Sequence, residues 1–141
     1  MKLNFNKQQC FAVPTKLYTL LNHELAQVGQ PELNAYALTF NFRDPSYSAE
    51  HGGYHPVEMR LEKHNDQWEF IYITDFSYQG SPYPELVKDI DVCFESKRAY
   101  SLYSGWSAER DAKELIKLFL TNFIAYHDTD VYNARIGFEH N

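Results

Sequence analysis

One stretch of the sequence separates two strand-like segments and reads Asn41-Phe42-Arg43-Asp44-Pro45-Ser46-Tyr47-Ser48-Ala49-Glu50-His51-Gly52-Gly53-Tyr54-His55-Pro56-Val57-Glu58. It concentrates charged residues, histidines, prolines and a Gly-Gly pair. Before it, apolar side chains recur at every second position from Tyr36 to Phe42, which is the period of a half-buried strand. After it, Val57, Met59 and Leu61 alternate with charged residues. The stretch is therefore predicted to be a loop that joins two strands.

A third strand is predicted directly after the second. The polar turn at 64–67 favours a hairpin into it. Alternation places on one face of this strand the side chains of Trp68, Phe70, Tyr72, Thr74 and Phe76. The other face receives Ile71, Ile73 and Asp75. Because both faces carry apolar residues, we expect a central strand.

Two amphipathic helices are predicted, one on each side of the strands. Leucines at helical spacing run from Leu17 to Leu25, after Thr15 as the expected cap. A wider apolar stripe follows Ser107, the expected cap of the second helix. Shorter alternating segments complete the pattern at 89–95, 99–103 and 131–138. The sequence predicts an α+β fold, in which a twisted antiparallel sheet of about five to six strands is covered by an N-terminal and a C-terminal helix.

Length and composition narrow the class of protein. The 141 residues fit a single domain over residues 1–141. Thirteen Lys and Arg against 19 Asp and Glu give a net charge of −6, which disfavours nucleic acid as a partner. This charge tolerates a basic protein partner and is also ordinary for a soluble protein. Cys10 and Cys93 have no metal-ligand spacing, so we expect a reduced, cytoplasmic protein. No stretch approaches the roughly 20 apolar residues that a membrane span needs.

The loop offers oxygen and imidazole groups of the kind that bind divalent metals. These groups belong to Asp44, Glu50, His51, His55 and Glu58. In an extended chain His51 and His55 would lie about 13 Å apart, too far to share an ion unless Gly52 and Gly53 form a tight turn. The glycines also exclude the helical HExxH motif. We therefore predict no metal site and no cofactor.

Acid–base chemistry is the second reading of the same region. Asp75 follows an apolar strand, and a hairpin could bring it near His55 or Glu58. Arg43 or Arg60 would equally serve as an ordinary ion-pair partner for such a carboxylate. No pattern specifies a nucleophile, a base and an orienting group together, so no catalytic residue is assigned.

Exposed aromatic residues provide the third reading, because tyrosine and tryptophan are good interface anchors. Several tyrosines lie in or beside the predicted loops, although aromatic residues next to turns also close the ends of a core. The residues expected to bind a partner or border a site are Arg43, Asp44, Tyr47, Glu50, His51, Tyr54, His55, Glu58, Asp75 and Tyr78.

Three segments carry a resemblance to a known family: Asn41–Asp44, Tyr47–Glu58 and Tyr72–Tyr78. The sequence resembles domain-of-unknown-function family 2787, a group of small bacterial proteins of Vibrio and relatives. The resemblance implies a fold similar to the acidic mitochondrial matrix glycoprotein family, which includes the globular-head receptor for C1q. That fold is a twisted antiparallel sheet flanked by terminal helices. Binding of C1q is not implied, because no binding motif of that receptor maps onto this sequence.

Taken together, these features favour a noncatalytic protein-binding or assembly domain over an enzyme. The expected partner is a protein, which could be basic or a second copy of the chain. The alternative is a small hydrolase or metal-dependent enzyme with its site at the Asp44–Glu58 loop. The sequence identifies neither the partner nor a substrate.

Overall fold

The structure is a computed structural model that describes residues 1–141. Two helices and seven strands follow one another along the chain. They are α1 (Thr15–Ala26), β1 (Ala37–Arg43), β2 (Val57–His64), β3 (Gln67–Gln79), β4 (Glu85–Cys93), β5 (Arg98–Ser101), β6 (Gly105–Ala108), α2 (Glu109–Asp128) and β7 (Asn133–Glu139). The predicted α+β class with an antiparallel sheet is confirmed.

All seven strands belong to one sheet with the order β6-β5-β4-β3-β2-β1-β7, and every pair is antiparallel. The first six strands form a meander, as their short connections predict. The sheet contains one or two strands more than predicted, because β6 has only four residues and no readable alternation. After α2 the chain returns to the free edge of β1, where β7 pairs with β1 from Ala37 to Arg43.

The prediction of which side chains lie on each face of β3 is wrong after Phe70. Arg60 pairs with Tyr72 and Leu61 with Phe70, so Ile71 is an extra residue that forms a β-bulge. The bulge reverses the alternation after Phe70. Helix-facing side chains are those of Trp68, Phe70, Ile73 and Asp75. The opposite face receives Tyr72, Thr74 and Phe76.

Both helices pack on the same face of the sheet. One cluster of 26 buried residues fills the space between the helices and the sheet. The apolar stripe of α1 is buried at Leu17, Leu20, Leu21 and Leu25. Phe42 of β1 packs edge-on against Phe123 of α2 with ring centroids 5.0 Å apart. Glu24 and His127 join the two helices through a contact of 2.8 Å. Burial of the two stripes thus produces the predicted layer arrangement.

The two predicted helix caps are wrong. Helix α1 already includes Thr15 and is preceded by Pro14, while α2 is preceded by Ala108. Neither position makes a side-chain cap hydrogen bond. Ser107 instead pairs with Ala99 in the β5–β6 hairpin, so strand pairing overrides its preference for a helix start.

The other face of the sheet is polar. Arg60 forms a two-pronged ion pair with Glu139 and also contacts Glu62. The hydroxyl of Tyr72 donates a hydrogen bond to Glu58. These contacts tie β2 to its neighbours and to the edge strand β7. Neither helix combines the length and hydrophobicity that crossing a membrane requires.

Candidate functional site

A cleft opens between α2 and the sheet, beside the long β1–β2 loop. Its cavity has a volume of about 360 Å³, within the usual range for ligand pockets. The lining side chains are mostly apolar. They belong to Gly53, Tyr54, His55, Val57, Asp75, Ile90, Leu115, Leu118, Phe119, Asn122, Phe123, Tyr126 and Tyr132. Asp75, which was predicted to border the site from outside the loop, lines the cleft beside its pairing partner Val57.

The loop is shaped by Asp44. Its carboxylate accepts hydrogen bonds from the backbone N–H and the hydroxyl of Ser46 and from the backbone N–H of Tyr54. These hydrogen bonds lower the pKa of Asp44, and the one from the Ser46 hydroxyl has the largest effect. Gly53 has a φ of +132°, and a Cβ atom there would lie 2.9 Å from Asp44 Oδ2. Asp44 and Gly53 therefore have a structural role that brings Tyr54 and His55 to the cleft.

Two stacked tyrosines support the loop from outside the cleft. The ring of Tyr47 stacks on that of Tyr78 at 5.3 Å and packs against the imidazole of His55 at 5.5 Å. The hydroxyl of Tyr47 accepts a hydrogen bond from the backbone N–H of Tyr78. The loop is thereby attached to the end of β3, which limits the positions that His55 can adopt.

His55, Asp75 and Asp89 form a charged cluster at the polar end of the cleft. His55 Nδ1 lies 3.0 Å from Asp75 Oδ2 and 3.7 Å from Asp89 Oδ2. The other oxygen of Asp75 accepts a hydrogen bond of 2.7 Å from the backbone N–H of Ile90. The hydrogen bond to Asp75 raises the pKa of His55, and the charge of Asp89 contributes to the same effect. This arrangement can hold a proton or bind a cation.

Asp89 reaches the cluster because of a second β-bulge. Asp75 pairs with Ile90 and Phe76 with Lys88, so Asp89 is an extra residue in β4. In a regular strand the side chain of Asp89 would point away from that of Ile90. The bulge turns it towards His55 instead, which is a common use of bulges beside functional sites.

The opposite wall of the cleft is aromatic. Tyr54 packs against Tyr126 with ring centroids 4.7 Å apart and against Tyr132 at 6.4 Å. Burial raises the pKa of the Tyr132 hydroxyl, and the nearby charge of Asp75 raises it further. Tyr132 thus stays protonated at neutral pH. A ligand would meet rings on this side and the charged cluster on the other.

The structure gathers only part of the predicted residue set. Tyr54, His55 and Asp75 line the cleft, and Asp44, Tyr47 and Tyr78 support its loop. Four predicted residues lie elsewhere. Arg43 is exposed at the end of β1, Glu50 and His51 are exposed at the loop tip, and Glu58 is on the opposite face of the sheet. His51 contacts Glu50 at 3.8 Å and takes no part in the cluster.

Sequence reasoning missed Asp89 and the contributions of α2 and Tyr132. The apolar stripe of α2 predicts only that the helix covers the sheet, but Leu118, Asn122 and Tyr126 of this helix also form the cleft wall. The usable signal in the sequence was a leucine, Leu118, at a position off the regular apolar stripe. No pattern in the neighbouring sequence indicates the bulge that turns Asp89 towards His55.

The Asp75 carboxylate should control the titration of His55. We expect an imidazole pKa above the ordinary value of 6.5 in the wild type, and a lower value in Asp75→Asn, which keeps the acceptor for Ile90. Because the pKa is raised on folding, the stability that the pair contributes is complete below about pH 6.5 and is lost as pH rises through the folded value. NMR titration of the His55 ring protons measures both pKa values. Equal His55 pKa values in the wild type and in Asp75→Asn would contradict the role of Asp75 in raising this pKa.

Comparison with known proteins places the chain in a family. The model of the family described as proteins of unknown function, DUF2787, matches residues 15–137. The chain belongs to the DUF2787 family. The resemblance read from the sequence is confirmed. A comparison with curated proteins finds no match.

The solved structures of two Vibrio cholerae proteins are similar to this DUF2787 protein. The hypothetical protein VC0508 of the VSP-II pathogenicity island is 39% identical, with a TM-score of 0.89 over 98% of this chain and 100% of that chain. The conserved hypothetical protein VC1805 of pathogenicity island VPI-2 is 37% identical, with a TM-score of 0.80 over 93% and 98% of the two chains. VC1805 is described as sharing structural homology with the human P32 protein. In this DUF2787 chain, strand β7 follows the second helix, so the final element is not a helix as the implied fold would have it.

Proposed function

We propose that the protein is a noncatalytic binding domain whose cleft holds a segment of a basic protein partner. The segment would insert one large apolar side chain between α2 and the β1–β2 loop. The observation that carries this proposal is the cleft itself, an aromatic and aliphatic cavity of about 360 Å³ that is open to solvent. Such concave apolar sites with a few polar groups are the usual places for recognition.

Exposed apolar side chains around the mouth of the cleft support the proposal. Tyr54, Leu118 and Tyr126 are all exposed there, and Leu118 is 61% exposed. Grouped exposed apolar residues mark interaction sites more often than isolated ones do. Tyrosines at the rim of a pocket also resemble the aromatic anchors of protein interfaces.

The charge of the site favours a basic occupant. No Lys or Arg lines the cleft, whereas Asp75 lies in it and Asp44 and Asp89 lie beside it. The whole chain carries a net charge of −6. Lys or Arg residues next to the inserted side chain would therefore be attracted to the cleft mouth, which speeds association and selects against acidic partners.

We infer that these residues act within one domain in a reducing cytoplasm. One cluster of 26 buried residues includes side chains from both helices and from β1 to β5, which supports a single domain over residues 1–141. Cys10 and Cys93 are both free thiols, as a reducing compartment would leave them.

Placing a charge at the cleft mouth should weaken binding of the partner. We would select peptides from a phage library on the wild type and measure the affinity of the enriched peptides by calorimetry. We expect sequences in which an aromatic or leucine residue is flanked by Lys or Arg. Leu118→Asp should weaken their binding by about 10-fold or more, because a hot-spot side chain is lost and a charge is desolvated.

Leu33→Asp is the matched control, since Leu33 is 68% exposed and does not line the cleft. It should bind the selected peptides as the wild type does. Equal losses in both variants, or peptides without basic residues, would contradict the proposal. Light scattering provides a further check: an oligomer that Leu118→Asp dissociates would identify a second copy of the chain as the occupant instead of a basic partner.

A second candidate function, hydrolysis at the same loop, is favoured by the contact between His55 and Asp75. A carboxylate on Nδ1 orients an imidazole so that Nε2 can accept a proton from water. No Ser, Thr or Cys side chain lines the cleft to act as a nucleophile. Hydrolysis of an activated ester should therefore proceed equally with the wild type and His55→Ala. A rate that falls at least about 100-fold in His55→Ala would favour the enzyme instead.

A further inference from the structure

We propose that His55, Asp75 and Asp89 bind one divalent transition-metal ion, of the Zn²⁺ or Mn²⁺ type, at the polar end of the cleft. The inference goes beyond the docking of a partner and does not depend on it. It differs from the metal reading of the loop sequence, because two of its three ligands lie outside the loop and His51 takes no part.

The spacing of the three side chains suits a metal ion. One ligand atom from each residue can be chosen so that all lie within 4.8 Å of one another. The two shorter separations, from His55 Nδ1 to the carboxylate oxygens, are 3.0 and 3.7 Å. Ligands held at about 2.1 Å from an ion are separated by about 3.0 Å in octahedral and about 3.4 Å in tetrahedral geometry. Small rotations of the side chains would complete either arrangement.

Asp89 has no hydrogen-bond donor of the chain and only one ionic contact, with His55. Its side chain is only 15% exposed, yet no donor of the chain lies within hydrogen-bond distance of its carboxylate. Asp91, two residues further along β4, differs in this respect, since it accepts hydrogen bonds from Thr74 and Lys88. The oxygens of Asp89 reach solvent at the cleft, so this carboxylate is accessible to a cation. The single imidazole of His55 faces two carboxylates, at 3.0 Å and 3.7 Å, so negative charge is in excess in the cluster.

The surroundings of the cluster are those of a site that can accept an ion. The backbone N–H of Ile90 orients Asp75 from behind, and the ring of Tyr47 packs against the imidazole. Outer contacts of this kind hold metal ligands in place. The side chain of His55 is 39% exposed and borders the cavity, so an ion can enter and water can occupy its remaining positions.

The ligand set indicates the class of ion. One imidazole nitrogen and two carboxylate oxygens suit Zn²⁺, Mn²⁺ or Fe²⁺ better than Ca²⁺, which prefers oxygen ligands alone. Binding requires a free lone pair on Nδ1, so the ion would take the place of the hydrogen bond between His55 Nδ1 and Asp75.

Calorimetric titration of tag-free, metal-free protein with ZnCl₂ and with MnCl₂ tests the site. We expect one ion per chain for at least one of these metals. Asp89→Asn, which keeps the shape of the side chain, should weaken binding about 10-fold or more, and His55→Ala should do the same. His51→Ala is the control, because His51 is 77% exposed beside Glu50 and should leave the affinity unchanged.

A measurement on the wild type alone guards against variants that fail to fold. Mn²⁺ at a fraction of the protein concentration should broaden the backbone NMR signals of residues 54, 75, 89 and 90 before those of residues 50 and 51. Absence of binding for both metals below about 1 mM would overturn the proposal. Broadening centred on the loop tip, or an unchanged affinity in Asp89→Asn, would overturn it as well. Peptide binding at the cleft would remain a separate result in every case.

Discussion

Replacing Phe42 with alanine is expected to lower the free energy of unfolding by about 3–5 kcal/mol. Phe42 is fully buried, and its ring contacts those of Phe40, Phe123, His127 and Tyr132. The substitution removes both the burial of the ring and its edge-on contacts, and leaves a cavity between β1 and α2. Since small domains are stable by only about 5–15 kcal/mol, the loss should be plain in urea denaturation.

Phe76→Ala is a suitable control for this effect. Phe76 is partly exposed on the helix-free face of the sheet, next to Tyr72 and Lys88. We expect a loss of about 1 kcal/mol there. If both substitutions had the same effect, the assignment of the two faces of the sheet would be wrong, because only the helix-facing side is a packed core.

The second large effect is expected at Gly53. Gly53→Ala should destabilise the protein by about 2–4 kcal/mol, because its φ of +132° is rarely accessible to alanine and the new methyl group would meet Asp44 Oδ2 and Tyr47 Cα at 2.9 and 3.0 Å. Backbone NMR shifts of Tyr54 and His55 should change as well, since both follow this position directly. Thermal or urea denaturation measures the stability loss.

Gly52 provides the comparison within the same turn. It has a φ of +72°, but a Cβ atom there would have no neighbour within 4 Å. Gly52→Ala should therefore cost about 1 kcal/mol from the backbone alone. The difference between the two variants measures the contact with Asp44 and Tyr47 together with the less accessible φ of Gly53. Similar losses at the two glycines would contradict both contributions.

These predictions connect the stability of the fold with the geometry of the cleft. Phe42 supports Phe123 and Tyr132, which are cleft residues as well as core residues. Gly53 allows Asp44 to hold the backbone of Tyr54, and thereby places His55 against Asp75. A variant that weakens either contact should change binding at the cleft together with stability, whereas Leu118→Asp should change binding alone.

The candidate site was predictable to the extent that strand pairing is local. The hairpin between β2 and β3 follows from the turn at 64–67, and it places Val57 opposite Asp75. Proximity of Asp75 to the loop could therefore be expected. The alternation along β2 also indicates that Glu58 lies on the face opposite Val57. The distance of His51 from His55 could not be predicted, because it depends on the conformation of the glycine turn.

Residue periodicity alone was sufficient to predict both helices, the antiparallel sheet and the loop between β1 and β2, because each of these reflects which side of a local segment avoids water. The tertiary structure was required for the position of β7 beside β1, for the reversed faces of β3 and for the place of Asp89 beside His55. The physical reason is that bulges and strand order depend on pairing between residues far apart in the chain. One extra residue in such a pairing moves every following side chain to the other face of the sheet, and the neighbouring sequence does not indicate this change.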